Sequence, residues 1–289
     1  MLTHEVNGRQ TLPITTAPWI RAVPLRTPTL PPATHTNCYI VGERELCVID
    51  PASPYPEEQQ ALDEIVQLHI NDGHTVSLIL LTHHHVDHVS GAAQLAARLN
   101  VPIAAHAETA ARLRGRVTVT RTIADGEALP FAPRGLVARF TPGHAPGHLC
   151  FHDEAAAAIV VGDMVASVGT IIVEPEDGGD MTLYLESLRR LRGLVDDGAR
   201  WLLPAHGPAI SDAAGKLDFY VAHRLQREGM VAAALGDEPR SVTELVPAAY
   251  PDVPPAIYGL AARSLLAHLI KLERDGRAQR EGERWRVRR

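Results

Sequence analysis

Through the first two-thirds of the chain, short apolar runs alternate with stretches of helical spacing. From Thr36 to Asp50 the run TNCYIVGERELCVID places two β-branched stretches on either side of a Gly-Glu-Arg turn, which predicts a hairpin. Pro56 to Gly73 carries apolar residues at Leu62, Ile65, Val66, Leu68 and Ile70 between a proline and an Asp-Gly pair, the pattern of an amphipathic helix. Val76 to Leu81 then reads as a buried strand, Gly91 to Asn100 as a second helix and Val101 to Ala105 as a second buried strand. This recurrence of strand, loop, helix and strand predicts an α/β architecture. Further strands are expected at Leu136 to Phe140, Leu149 to His152, Ala156 to Val161 and Trp201 to Leu203. Between the last two lies a helix from Met181 to Val195, with Leu183, Leu185, Leu188, Leu191 and Leu194 as its apolar face. Phe131, Phe140 and Phe151 are expected in the core.

After Pro208 the texture becomes helical. Leu217, Val221 and Leu225, spaced by four, predict a buried stripe on a first helix. Ser241-Val-Thr-Glu244 is a capping box that starts a second, because the hydroxyl and the carboxylate satisfy free N–H groups at the helix start. Ile257 to Arg274 is a third, and Arg277 to Val287, turning at Gly282, reads as a wing-like hairpin. Three helices and a wing are the order of a winged helix. A length of 289 residues suits one large domain and a smaller companion, placed here at 1–212 and 213–289.

Charge divides along the same line. Residues 1–212 hold 15 Lys and Arg against 24 Asp and Glu, a balance of −9, and residues 213–289 hold 13 against 10, a balance of +3. An acidic main domain does not attract polyanions at long range, whereas the Arg-rich end from Arg274 to Arg289 has the composition to do so. Its arginines, 277, 280, 284, 286, 288 and 289, interleave with Trp285 as a phosphate-tracking run would, although Glu281 and Glu283 interrupt them. Cys38, Cys47 and Cys150 are an odd, scattered set, which argues against a disulfide framework. From Met1 to Arg26, broken by Pro13, Pro18 and Pro24, no apolar run of signal-peptide length occurs, and no stretch reaches membrane-span length. A cytoplasmic protein is expected, with no membrane partner.

Candidate chemistry concentrates in one place. Thr82-His83-His84-His85-Val86-Asp87-His88 puts four histidines and an aspartate within six residues, directly after a predicted buried strand. Imidazole and carboxylate are ligands that zinc, manganese and iron accept, and a loop after a strand can turn several of them to one point. Three later segments each present one more ligand just past a short apolar run: His144 in TPGHAPGH, Asp163 in VVGD and His206 in LLPAHG. Together they complete two sites, with His83, His85 and His144 on one ion, Asp87, His88 and His206 on the other, and Asp163 bridging. His84 lies off this pattern and is expected to face solvent or substrate. Asp50 closes the predicted hairpin, where an Asp-Pro turn explains it locally. His148, four residues past His144, is a candidate for substrate contact or for the ligands' surroundings, with a turn histidine as the plain alternative.

Through HHHVDH, TPGHAPGH, VVGD and PAHG in this order, residues 20 to 212 resemble the metallo-β-lactamase superfamily. The remainder resembles its lactamase-beta-2-like branch, in which a winged helix follows the catalytic domain; Thr36-Asn37-Cys38-Tyr39 and Gly179-Asp180-Met181 match that branch too. The resemblance implies a four-layer αββα sandwich, followed by a small winged-helix-like domain, with the site at one edge of the paired sheets. It implies a hydrolase using two divalent ions, zinc foremost, which hold a hydroxide between them, with Asp87 and Asp163 the catalytic carboxylates. It further implies that Asp50 supports the ligand loop by a hydrogen bond, and that the helix carrying Tyr220 and His223 passes near the site, where they contact substrate or, as the plainer alternative, pack at the domain interface. Metal coordination lowers the pKa of water to about 7, so no Ser or Cys nucleophile is required. A small acyl thioester or ester is the expected substrate. The alternative is single-stranded RNA held by the winged helix, and more remote is a DNA-binding regulator. No long insertion precedes His206, so the nucleic-acid-clamping domain of the superfamily's larger nucleases is absent. Oligomeric state stays open, a homo-oligomer included.

Overall fold

The computed structural model describes residues 17–288, together with the backbone of three two-residue strands ahead of them, β1 (Glu5–Val6), β2 (Arg9–Gln10) and β3 (Leu12–Pro13). Part of the segment read for an export signal, and Arg289 of the basic run, lie outside the described residues.

The predicted hairpin forms from β5 (His35–Val41) and β6 (Glu45–Ile49), with Tyr39 opposite Ile49 and Val41 opposite Cys47. β4 (Ile20–Arg26) pairs antiparallel with β5 along its length. Helix α1 (Pro56–Asn71) then crosses to β7 (Thr75–Leu80), which runs parallel to β6. The one-turn α2 (Val86–Val89) and α3 (Ala92–Leu99) lead on to β8 (Ile103–Ala105), and α4 (Ala107–Arg112) to β9 (Arg121–Thr122). Strands β3 to β9 make a seven-stranded sheet in sequence order. A five-stranded sheet contains β10 (Ala128–Leu129), β11 (Leu136–Phe140), β12 (Leu149–Asp153), β13 (Ala158–Gly162) and β14 (Trp201–Pro204). Its last pair is parallel because α5 (Met181–Asp196) crosses between β13 and β14.

Period-two alternation stacks these parts. On β6, Cys47 and Ile49 face the second sheet and pack with Leu149, Phe151 and Val160, while Leu46 and Val48 face Leu62, Ile65 and Leu95 of α1 and α3. The second sheet turns Ile159 and Val161 outward onto Leu188 and Leu191 of α5. Four layers in the order αββα follow, as expected, each fully buried Leu or Ile contributing about 1.5–3 kcal/mol. The carboxyl ends of β6, β7, β11, β13 and β14 open at one edge, and the candidate ligands sit on the loops that leave them.

Helices α6 (Ala213–Ala234), α7 (Val242–Ala249) and α8 (Tyr258–Arg274) follow, closed by a sheet of order β15-β17-β16 from β15 (Arg240–Ser241), β16 (Ala278–Glu281) and β17 (Arg284–Val287). The capping box at Ser241 and Glu244 is present, and Trp285 is buried in this unit's core. Three sequence expectations change. Leu225 is exposed, because steps of four drift by about 40° each and leave the buried face by the second step; the buried stripe is Leu217, Tyr220, Arg224 and Val231. Leu183 is likewise exposed and Tyr184 buried in its place. Phe140 is only partly buried, at the end of β11, where it stacks on His106 at 4.3 Å.

Candidate metal centre

Three imidazoles converge at the carboxyl edge. His83 Nε2 lies 2.9 Å from His85 Nδ1, and His144 Nε2 lies 3.3 and 3.0 Å from those two atoms. What faces the other side of each ring fixes the chemistry. His144 Nδ1 meets the Ile172 carbonyl at 2.8 Å, and a carbonyl only accepts, so the ring donates there. His85 donates through Nε2 to the Asp177 carboxylate at 2.7 Å. The Thr82 hydroxyl donates to Asp50 at 2.6 Å, which leaves it to accept from His83 Nδ1 at 2.9 Å. Each ring's proton is therefore outside, and three lone pairs point at one another. Burial pushes His83 well below the usual histidine pKa and His144 down to about 4, so neither ring relieves the contact by protonation near neutral pH. Three convergent lone pairs with no proton between them fit a cation.

A second group stands beside the first. His88 donates through Nδ1 to Asp50 at 2.8 Å and His206 through Nδ1 to the His35 carbonyl at 3.0 Å, turning both Nε2 atoms inward. Asp87 Oδ2 lies 3.7 Å from His206 Nε2, and Asp87, His88 and His206 present ligand atoms within 4.8 Å of one another. Asp163 reaches both groups: its Oδ1 is 3.5 Å from His88 Nε2 and 3.4 Å from His206 Nε2, and its Oδ2 is 3.5 Å from His144 Nε2. His88 Nε2 and Asp163 Oδ1 are buried and make no hydrogen bond among the described residues. Unpaired buried polar atoms of this kind are costly unless a further partner takes them up. Burial, which alone would raise it, is outweighed at Asp163 by His206 and His88, so its carboxyl stays well below the usual range. Reciprocally, Asp163 lifts His88 and His206 above the ordinary histidine value against the effect of burial. Two adjacent donor sets sharing one carboxylate fit two divalent ions.

Residues 31–206 match the family model described as the metallo-beta-lactamase superfamily. The chain belongs to that superfamily. Residues 241–285 match the beta-lactamase associated winged helix domain, the unit built from β15, α7, α8 and the wing. Among curated members of the superfamily, the chain is 32% identical over 240 residues to a lactamase-like protein of Penicillium aethiopicum, covering 81% of this chain and 72% of that protein. It is 31% identical over 251 residues to an atrochrysone carboxyl ACP thioesterase of Aspergillus chevalieri, covering 83% and 76%. Among solved structures, a metallo-beta-lactamase family protein from Thermus thermophilus superposes with a TM-score of 0.76 at 26% identity, over 94% of this chain and 99% of that one. The chain is a hydrolase of this superfamily, with a His/Asp cluster suited to divalent metal.

Around the superfamily's centre the other candidates take definite places. Asp50, buried and at φ +50°, accepts from the Thr82 backbone N–H at 2.8 Å, from the Thr82 hydroxyl and from His88, so one carboxylate anchors both ends of the ligand loop. Asp50→Asn keeps a side chain that tolerates this backbone region yet offers His88 an N–H in place of an acceptor. Affinity for one of the two ions is expected to drop by about 10- to 100-fold, measured by chelator competition; an unchanged affinity would mean that the carboxylate does not tune His88. His148 is fully buried and its Nε2 accepts from the Asp163 backbone N–H at 3.1 Å, so it locates Asp163 instead of reaching outward. Tyr220 accepts from the Ala166 N–H at 3.0 Å, bracing the segment that follows Asp163. His223 is half-buried and stacks on the exposed Phe219 at 5.9 Å.

His84 departs from its expectation. It is buried, at 4% exposure, and hydrogen-bonds Asp177 at 3.0 Å, because the segment after β13 folds back over the ligand loop. Asp177 itself does not stand out in the sequence: in Pro175-Glu-Asp-Gly-Gly it reads as a turn residue, and only the chain's return brings it to His85. All three cysteines are buried and free, and burial pushes the Cys150 thiol up to about 12, which removes it as a nucleophile.

Proposed function

We propose that the chain hydrolyses a small acyl thioester, with residues 1–212 as the catalytic unit and 213–289 as the winged-helix unit. Two divalent ions, zinc by the preference of an imidazole and carboxylate donor set, would be held by His83, His85 and His144 and by Asp87, His88 and His206, with Asp163 shared. The convergence of ligand atoms from both histidine groups on Asp163 carries the reading. When bound, such ions lower the pKa of water to about 7 and polarise the oxygen of the attacked carbonyl. The chain's own residues orient the ligands, and neutral His83 and His144 keep their nitrogens available at neutral pH. A thiolate leaves with little help from an acid, which suits a site whose shared Asp163 carboxyl is held well below the usual range.

Resemblance to an ACP thioesterase supports this substrate class. So does the fate of the Arg-rich end: Arg274 pairs with Asp180, Arg277 with Glu228, Arg284 with Glu244 and Arg286 with Glu281. Trp285 is buried and cannot stack on a base. The test is metal content together with turnover of acyl thioesters of graded chain length and of single-stranded RNA. We expect about two metals per chain, thioester hydrolysis that chelation abolishes, and no RNA cleavage. RNA cleavage without thioester turnover would replace the proposal with a nuclease reading.

A further inference from the structure

The winged helix and the metal centre meet at a strap. Residues 171–180 leave the ligand region after Asp163, cross the edge of the sandwich and enter α5, and the outer nitrogens of two imidazoles rest on them: His144 on the Ile172 carbonyl at 2.8 Å and His85 on the Asp177 carboxylate at 2.7 Å. Strap and turn are tightly built. Glu174 accepts from Gly179 N–H at 2.7 Å and Asp177 N–H at 3.1 Å, closing a 3₁₀ turn over Pro175–Asp177. A Cβ on Gly179 would sit 2.6 Å from the Glu174 nitrogen, so the turn admits no side chain there. Arg112 of α4 stands 3.4 Å from Asp177 on the outside.

Much of what holds the strap comes from the other unit. Arg224 of α6, almost fully buried, donates to the Ile171 carbonyl. Arg263 and Arg274 of α8 pair with Glu174 at 3.0 Å and with Asp180, the residues flanking the turn. Ile171 and Val173 pack with Leu217 and Tyr220 of α6 and with Ala267 of α8. Three arginines from two C-terminal helices thus grip one segment at its start, its middle and its end.

We infer that the C-terminal helices are a working part of the metal centre: through the strap 171–180 they position His85 and His144, with Asp177 as the positioning residue. This gives the winged helix a role that needs no nucleic acid, and it accounts for helix arginines spent on carboxylates and a carbonyl of the catalytic unit. Truncation behind the sandwich would then cost metal affinity as well as stability. The inference rests on the metal reading above, and its test is read on metal binding, independently of any substrate.

The experiment compares the full-length wild type with Asp177→Ala, Asp177→Asn, the double variant Arg263→Ala/Arg274→Ala and the triple variant joining Asp177→Ala to that pair. Arg284→Ala, which breaks a pair between the wing and α7, is the control. Cobalt(II) is the probe: its dissociation constants are measured by chelator competition, and its visible absorption reports ligand geometry. Asp177→Ala is expected to weaken one cobalt site by about 10- to 100-fold and to change its spectrum. Asp177→Asn recovers most of the loss, because the amide oxygen still accepts from His85. The arginine pair, exposed and unneeded for the core, shifts the same site by up to about fivefold per ion pair, and adds nothing further once Asp177 is gone. Arg284→Ala leaves both sites unchanged. If Asp177→Ala should fail to fold, the arginine double variant carries the test alone. Wild-type affinities in the arginine variant overturn the link to the C-terminal helices, and wild-type affinity in Asp177→Ala, or Asn behaving as Ala, overturns the hydrogen-bonded brace. A wild type that takes up no cobalt overturns the metal reading itself, and the brace with it.

Discussion

Asp163→Ala is expected to leave a folded protein that binds at most one metal ion per chain and hydrolyses substrate at least about a thousandfold more slowly. Fold is preserved because the backbone of residue 163 is fixed by other means: its N–H bonds to His148 and the following Met164 carbonyl accepts from Tyr184 at 2.7 Å. Function is lost because the carboxylate reaches both candidate ligand groups, at 3.4 to 3.5 Å from His88, His144 and His206. Lewis-acid stabilisation by bound ions is worth several kcal/mol, and each 1.36 kcal/mol is about tenfold in rate, which sets the scale of the loss. Acid shows the same coupling from the proton side. Against burial, Asp163 chiefly raises the pKa values of His88 and His206, helped at His88 by Asp50 and at His206 by the His35 carbonyl, and an ion must displace those protons, so metal affinity falls as pH drops through the raised values. In Asp163→Ala the largest raising influence is gone, only Asp50 and the His35 carbonyl still oppose burial, and this acid sensitivity moves to lower pH. Metal content and turnover measured together decide the matter; a variant with two ions and an ordinary rate would remove Asp163 from the centre.

Much of this candidate centre is legible in the sequence because the sandwich repeats one context for its proposed ligands, a polar residue just past a short apolar run. His83 follows β7, His144 follows β11, Asp163 follows β13 and His206 follows β14, and each strand's burial makes it visible as a block of Val, Ile and Leu. The hairpin, the crossover helices and the capping box are readable on equally local grounds. Asp177 and His84 are not, since their meeting depends on a loop without periodicity that returns over residues about 90 positions earlier. The stripe on α6 goes astray at Leu225 for another reason: α6 buries Arg224, Arg227 and Glu228, whose pairing with a carbonyl, Asp252 and Lys271 only the fold supplies. A hydrophobic pattern cannot announce a face that is buried by salt bridges. The same reasoning changes the first impression of the basic tail, where charges counted one by one suggest a polyanion partner and the folded chain pairs Arg274, Arg277, Arg284 and Arg286 with carboxylates.

Gly143→Ala is expected to destabilise the protein by about 2–5 kcal/mol and to loosen the metal centre as it does so, through backbone strain and overpacking added together. Gly143 precedes His144 at φ +131°, a region closed to L-residues, and a Cβ there would lie 2.2 Å from the Tyr184 nitrogen and 2.3 Å from its Cα. Backbone atoms in the first turn of a helix cannot yield by changing a rotamer, so α5 or the 141–148 loop has to move. Either movement is transmitted to the ligands: Asp180 donates from its backbone to the Gly143 carbonyl at 2.8 Å, and the buried Tyr184 hydroxyl holds the Met164 carbonyl beside Asp163. His144 and Asp163 would therefore shift together. Gly193→Ala, on the same helix, has nothing within 4 Å of the new methyl group and should gain about 1 kcal/mol from helix propensity, which makes it the matched control. Urea unfolding of the metal-free chains gives the two stability changes, and chelator competition gives the metal affinities. If Gly143→Ala unfolded at the wild-type midpoint and held its ions as tightly, the glycine of TPGH would be tolerating a loop that can be rerouted, and the close approach to Tyr184 would not be what sets His144.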